Sequence, residues 1–132
     1  AYYKKYDDVF PKKRQQVNRF RATMDFIGDL MKGTLSTSNF RRHHLFYTLF
    51  CSIYHMLYGL PRLTVERRSI RQHMPKVRTA LTEVDRIFQQ DPEELKATER
   101  AFLEKSRRAT TDASVRKDRS TYVCKLIAKT LR

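Results

Sequence analysis

The chain has 132 residues, the length of about one domain, with 28 Lys and Arg against 14 Asp and Glu and a formal charge of +14 at pH 7. Three Gly and four Pro are too few for a turn-rich β architecture, so helices are expected. A charge this large repels itself and is usually tolerated because the partner is a polyanion, which favours nucleic acid and leaves an acidic protein partner as the alternative.

The first predicted helix follows an aromatic and charged lead-in, residues 1–10, which we expect to pack on the body of the domain. Pro11 suits a first helical position, where a backbone N–H is not needed. Beyond it, apolar side chains recur every three or four residues up to a suitable stop at Gly33. This stripe consists of Val17, Phe20, Met24, Ile27 and Met31.

The second predicted helix is the most apolar part of the chain. Residues 36–38 offer N-caps, and Gly59 and Pro61 end it. The 16 residues from 45 to 60 are apolar on nearly all sides, but a bilayer requires about 20. In such a charged chain, this pattern predicts a buried central helix and no membrane contact.

Three further helices follow a basic stretch, 62–74, that the pattern leaves open as a short helix or a connector. Pro75 opens the third helix, Asp91 with Pro92 opens the fourth, and Thr111 or Asp112 caps the fifth. Their apolar positions are Val77, Leu81, Val84 and Phe88, then Leu95, Phe102 and Leu103, then Val115, Tyr122, Val123, Leu126, Ile127 and Leu131.

These elements predict one all-α domain over residues 1–132, a compact bundle of about five helices around a central apolar helix at about 38–58. The chain starts without a signal peptide or initiator Met, so we expect a C-terminal fragment of a longer protein. Cys51 and Cys124 lie far apart in helical patterns, which predicts a reducing cytoplasm rather than a disulfide framework.

Charge is unevenly distributed along the chain. Residues 81–104 hold seven acids and three bases, whereas residues 105–132 hold nine bases and two acids. Within the stretch SRRATTDASVRKDR (106–119), a helix start is expected to attract phosphate through its free N–H groups and its dipole. Alternatively, Arg116 or Arg119 pairs with acids of the 91–104 helix. The predicted nucleic-acid-binding residues are Arg107, Arg108, Arg116, Lys117 and Arg119, with Lys12, Lys13 and Arg14 of the first helix.

The histidines do not predict a metal site. Two ligands on a helix need a spacing of three or four residues, whereas His43 and His44 are adjacent and His55 is eleven residues beyond His44. No acid lies between Thr34 and Val65. The sequence therefore predicts neither a metal nor a cofactor.

A catalytic alternative lies in the sequence RSIRQH, which separates Arg68 from His73 by four residues. It resembles the arginine and histidine motif of HEPN ribonucleases, which are also small helical bundles. In that family the two residues act on the scissile phosphate and the 2′-hydroxyl, because Arg holds a phosphate and His transfers protons near neutral pH. The resemblance implies a metal-independent ribonuclease. The other interpretation is a basic connector.

Two longer stretches carry a second resemblance. NFRRHHLFYTLFCSIYHMLYGLP (39–61) and FLEKSRRATTDASVRKDRSTYVCKLI (102–127) resemble the helical C-terminal region of GmrSD-type restriction proteins. The N-terminal half of that family has a ParB/sulfiredoxin-like nuclease fold, which carries the chemistry. The resemblance implies a non-catalytic helical part of a bacterial phage-defence protein that binds DNA or supports assembly with other domains or subunits.

Overall fold

The structure is a computed structural model that describes residues 2–107 and 112–132, with side chains from residue 13 onward. Within these residues it is all-helical and contains no strand, which confirms the predicted bundle. Single 3₁₀ turns join the longer elements at Leu35–Thr37, Asn39–Arg41 and Pro92–Glu94. The five α-helices are α1 (Tyr2–Leu30), α2 (His43–Tyr58), α3 (Met74–Ile87), α4 (Ala97–Arg107) and α5 (Ala113–Thr130).

Helices α2 and α5 form the centre of the bundle. Helix α5 packs against α2, α3 and α4, while α1 lies on the other side of α2 and also contacts α3. Leu49 and Ile53 of α2 are fully buried, which confirms the interpretation of this apolar run as core. Phe50 and Leu57 are only partly buried, and Phe50 lies against Phe20 of α1. Every helix in the described residues is too short or too polar to span a membrane.

The predicted starts of the second and fourth helices are wrong, because each capping residue closes only a single 3₁₀ turn. Ser38 accepts a hydrogen bond from the amide of Phe40, whose ring is buried, and α2 begins only at His43. Asp91 likewise accepts from the amide of Glu93. Leu95 then takes an extended conformation that buries its side chain, and α4 begins at Ala97.

The first helix is longer than predicted and is only partly covered. Helix α1 is continuous from Tyr2, so a start at Pro11 is wrong. The apolar stripe is buried at Ile27 and Met31, but Val17 is 47 % and Phe20 is 53 % exposed. All side chains from residue 13 to 18 are exposed, so this part of α1 extends beyond the body of the bundle.

The ambiguous basic stretch is a connector that spans residues 59–73 and is ordered by one histidine. The Nδ1 atom of His55 accepts a hydrogen bond from the Leu60 amide (3.0 Å), and its Nε2 atom bonds the Val65 carbonyl (2.7 Å). A carbonyl only accepts and an amide only donates, so the ring is neutral with its proton on Nε2. Gly59 has a φ of 89°, which L side chains rarely adopt, and reverses the chain into this connector.

Candidate nucleic-acid interface

A groove of about 310 Å³ lies between α2, the connector and the start of α5. Three cations line it, Arg62 from the connector and Arg116 and Lys117 from α5. No acidic side chain is among its described lining residues, and the three cations form no ion pair within residues 13–107 and 112–132. The other lining residues are Tyr47, Cys51, Leu60, Pro61, Leu63, Ala113 and Ser120.

The wall of the groove on α2 is aromatic and neutral. Tyr47 is 48 % exposed, and the guanidinium carbon of Arg116 lies 5.8 Å from the centre of its ring. Neighbouring Cys51 raises the pKa of the Tyr47 phenol, and burial raises the pKa of the Cys51 thiol. Both groups are therefore protonated at neutral pH, so the charge of the groove comes from its cations.

The start of α5 is capped by its own acid. The Asp112 carboxylate accepts hydrogen bonds from the amide and the hydroxyl of Ser114, each at 2.9 Å. These bonds lower the pKa of Asp112, so the carboxylate is ionised at neutral pH. The cap occupies the N–H of Ser114, one of the groups that the sequence analysis offered to a phosphate, and the expectation of a phosphate at this helix start stays a prediction.

The structure brings together only two of the predicted binding residues, Arg116 and Lys117. Arg107 is exposed at the end of α4, where its Nη1 atom lies 3.2 Å from the Glu104 carboxylate. Lys13 and Arg14 are exposed on α1, outside the groove. Arg108 and the side chain of Lys12 lie outside the described residues.

Arg119 is buried, which corrects its assignment to a phosphate-binding surface. Only 1 % of the residue is exposed, and burial lowers the pKa of its guanidinium. Its Nη1 atom donates to the Lys105 carbonyl near the end of α4 (3.2 Å), and His44 of α2 donates from Nε2 to the next carbonyl, that of Ser106 (2.6 Å). Carbonyls at a helix end need partners from outside the helix, and a cation also suits the negative end of the dipole. Arg119 therefore ties α4 to α5.

A partly exposed row of aromatic rings crosses from α1 to α2, beside the groove. Phe20 packs on Phe50 with ring centres 5.1 Å apart. The row continues along α2 through Tyr54, at 6.0 Å, to Tyr58, at a further 5.3 Å. The sequence did not indicate exposed aromatics, because helical spacing does not tell which side of an all-apolar helix remains uncovered.

Arginines surround the end of this row. Arg19 of α1 lies over the Tyr58 ring at 5.0 Å from its centre, and Arg71 of the connector donates to the Tyr58 hydroxyl at 3.3 Å. Arg67 donates to the Leu57 carbonyl at 2.6 Å. None of these three arginines was a predicted site residue. The signal that could have found Arg67 and Arg71 is the four arginines against one acid in residues 59–73, whereas nothing local distinguishes Arg19 on α1.

The two residues of the catalytic alternative lie on the connector ahead of α3. Arg68 lines a shallow groove of about 330 Å³ with Met56, Leu57 and residues 67–71, and His73 is not among the residues that line it. The Arg68 guanidinium lies 3.6 Å from the Glu66 carboxylate. His73 is exposed at the start of α3. Their role in catalysis stays a prediction.

The opposite side of α5 carries acids, and these acids pair with cations of α3 and α4. Arg86 of α3 bonds Glu83 (3.1 Å) and Glu99 (2.8 Å). Lys105 of α4 bonds Asp118 of α5 (2.9 Å). In the described part of the chain, the acids Glu99 of α4 and Asp118 of α5 therefore pair with Arg86 and Lys105, and Arg116 forms no ion pair with the acids of α4. Lys125 and Lys129 also line the groove on this side, so the groove on the α2 side differs from it in having no acid among its described lining residues.

Comparisons with models of known protein families, with curated proteins and with solved structures find no match to this chain.

Proposed function

We propose that this chain is a non-catalytic, basic helical module of the cytoplasm that binds nucleic acid, with DNA as the expected partner. The observation that carries the proposal is the groove between α2 and α5, where Arg62, Arg116 and Lys117 stand together without an acid among the described lining residues. Cations that are held close together and not neutralised by the protein itself are the electrostatic footprint of a phosphate-binding surface.

The position of the acids supports the same orientation. Glu83, Glu99 and Asp118 lie together on the opposite side of α5, in a groove of about 540 Å³ that also carries their cationic partners. A polyanion that approaches the α2 side meets cations first and stays away from these carboxylates.

The resemblance to GmrSD-type restriction proteins extends this proposal to a biological setting. The module would then contact DNA, or support assembly, for a nuclease carried by other domains or subunits of a bacterial phage-defence protein. The two sequence stretches support this biological setting. The groove supports the mode of binding.

The proposal is tested by the salt dependence of duplex DNA binding. Each phosphate contact contributes about −0.9 to the slope of log affinity against log salt. We expect the triple variant Arg62→Gln, Arg116→Gln and Lys117→Gln to flatten the slope by about 2 to 3. The charge-matched control changes Lys125, Lys129 and Arg132, which are exposed near the other end of α5, to Gln.

Two results decide against the proposal. Equal slopes for the groove variant and the control would mean that DNA responds to net charge and not to the groove. If the wild type binds DNA no more tightly than it binds an acidic peptide of equal charge, the acidic protein partner becomes the better interpretation.

A further inference from the structure

The outer face of α2 carries a continuous stripe of side chains that the other helices, as far as their side chains are described, do not cover completely. Tyr47, Cys51, Tyr54 and Tyr58 follow at steps of four, three and four residues, so they lie along one side of the helix. Tyr47 is 48 % exposed and the other three are partly buried. At 1.5 Å per residue, the stripe is about 16 Å long.

Both edges of this stripe are basic. On the α5 side it is bordered by Arg62, Arg116 and Lys117. On the α1 and connector side it is bordered by Arg19 and Arg71, which both contact Tyr58.

Two acids lie close in sequence to the cations of these edges. Glu66 pairs with Arg68, and Asp112 caps the start of α5, where its carboxylate also interacts electrostatically with Arg116. The stripe therefore lies between two rows of cations.

We propose that this face of α2 binds single-stranded nucleic acid, with unpaired bases stacked on the tyrosine rings and phosphates held by the arginines and Lys117 at its edges. The inference rests on the proposed function and narrows its substrate class. Aromatic platforms inside a positive groove are how proteins hold single strands without reading their sequence. A duplex keeps its bases stacked on each other and offers only its phosphates to such a surface.

The dimensions of the stripe fit this substrate. A length of about 16 Å spans roughly five nucleotides at the 3.4 Å rise of a strand with stacked bases, and fewer in a more extended strand. The Tyr47 ring under Arg116 is exposed, and Arg19 and Tyr58 are partly exposed, so neither cation is fully desolvated over its ring and each is held weakly. Each arginine can therefore exchange its ring contact for a phosphate when a base arrives.

The test compares two double variants that differ only in aromaticity. Tyr47→Leu with Tyr58→Leu removes two rings and keeps apolar side chains, whereas Tyr47→Phe with Tyr58→Phe keeps the rings and removes the hydroxyls. Affinity is measured for a ten-nucleotide oligothymidylate and for a ten-base-pair duplex at one salt concentration. Thermal unfolding of each variant checks that the fold is intact.

We expect the affinity of the leucine variant for the single strand to fall at least about tenfold, and that of the phenylalanine variant to equal the wild-type affinity. The affinity of both variants for the duplex should change less than about twofold. The chain has no Trp, so stacking should also quench its tyrosine fluorescence. If the leucine variant unfolds, the single variant Tyr47→Leu replaces it, because that half-exposed side chain contributes little to the core. We then expect that variant alone to lose affinity for the single strand while Tyr47→Phe retains it.

Failure of the inference is distinguishable from failure of the proposed function. Equal single-strand affinities for the leucine and phenylalanine variants, or a wild type that prefers the duplex, would overturn the stacking platform. Either result is compatible with phosphate binding at the groove. Absence of salt-dependent binding to both probes would overturn the inference and the proposed function together.

Discussion

Replacing Arg119 by Met should destabilise the fold and leave nucleic-acid binding intact. Met is close in length and apolar, so the buried site stays filled while the donor to the Lys105 carbonyl is lost. A hydrogen bond from a charged group contributes about 1.5–3 kcal/mol, and a cation at a helix end adds about 0.3–2 kcal/mol. Removal of the desolvation cost of a buried guanidinium offsets part of this. We expect a net loss of about 2–4 kcal/mol.

The assay is thermal unfolding together with the salt dependence of binding, both measured on the same protein. For a chain of this size, each kcal/mol lowers Tm by about 3–5 °C, so Arg119→Met should unfold roughly 10 °C earlier. Its salt slope should equal that of the wild type. The matched control is Arg116→Met, the same change one turn earlier on α5. It should lower Tm by less than about 3 °C, because its contact with Tyr47 and its interaction with Asp112 lie at the solvent-accessible start of α5, and it should flatten the slope by about 0.9.

Two outcomes would refute this reasoning. If Arg119→Met is as stable as the wild type, the desolvation cost of the buried guanidinium cancels its bonds, and Arg119 is not the tie between α4 and α5. If Arg119→Met flattens the salt slope and keeps its Tm, the side chain reaches phosphate, as the sequence alone predicts.

Three further predictions concern stability and catalysis. Burial lowers the pKa of His44 below its ordinary value of 6.5, so the unfolded chain binds this proton at a higher pH than the folded chain does, and the free energy of unfolding should decline as the pH falls below about 6.5. Urea unfolding of the wild type and of His44→Gln between pH 7.5 and 5.5 should show a smaller decline in the variant. Leu49→Ala should cost about 2–5 kcal/mol in chemical denaturation, whereas Leu57→Ala, the same change at a half-buried position of α2, should cost less than half as much; equal costs would contradict the burial pattern. Finally, the pure chain should not cleave single-stranded RNA, and cleavage that disappears in His73→Ala would establish the HEPN-like alternative.

The architecture was predictable because hydrophobic periodicity is a strong signal in long helices. The run that became α2 is apolar on almost every side, and only a central position buries Leu49 and Ile53 together. Helix starts were less predictable. Ser38 and Asp91 are good caps in both α-helices and 3₁₀ turns, and the difference depends on Phe40 and Leu95, whose burial in the core turns the chain away from a helix.

The candidate site was predictable only in part. Arg116 and Lys117 were found from the density of charge after residue 104, but Arg119 was misplaced by the same reasoning. Its position does carry a signal, since it lies four and eight residues before the buried Val123 and Ile127, on the same side of α5. Arg62 was missed because its role depends on how the connector folds back beside α2, which no local pattern specifies.

The connector between α2 and α3 also determines which changes this protein can tolerate as its sequence varies. Arg62, Arg67 and Arg71 stand on a segment without helix or strand, so their positions depend on the two hydrogen bonds of His55 and on the left-handed turn at Gly59. A side chain at Gly59 would be strained, and its Cβ would lie 3.4 Å from Arg67 Cδ. Across related sequences we therefore expect the arginines to be exchanged or shifted by a residue, while the imidazole and the glycine, which contact no partner themselves, stay fixed.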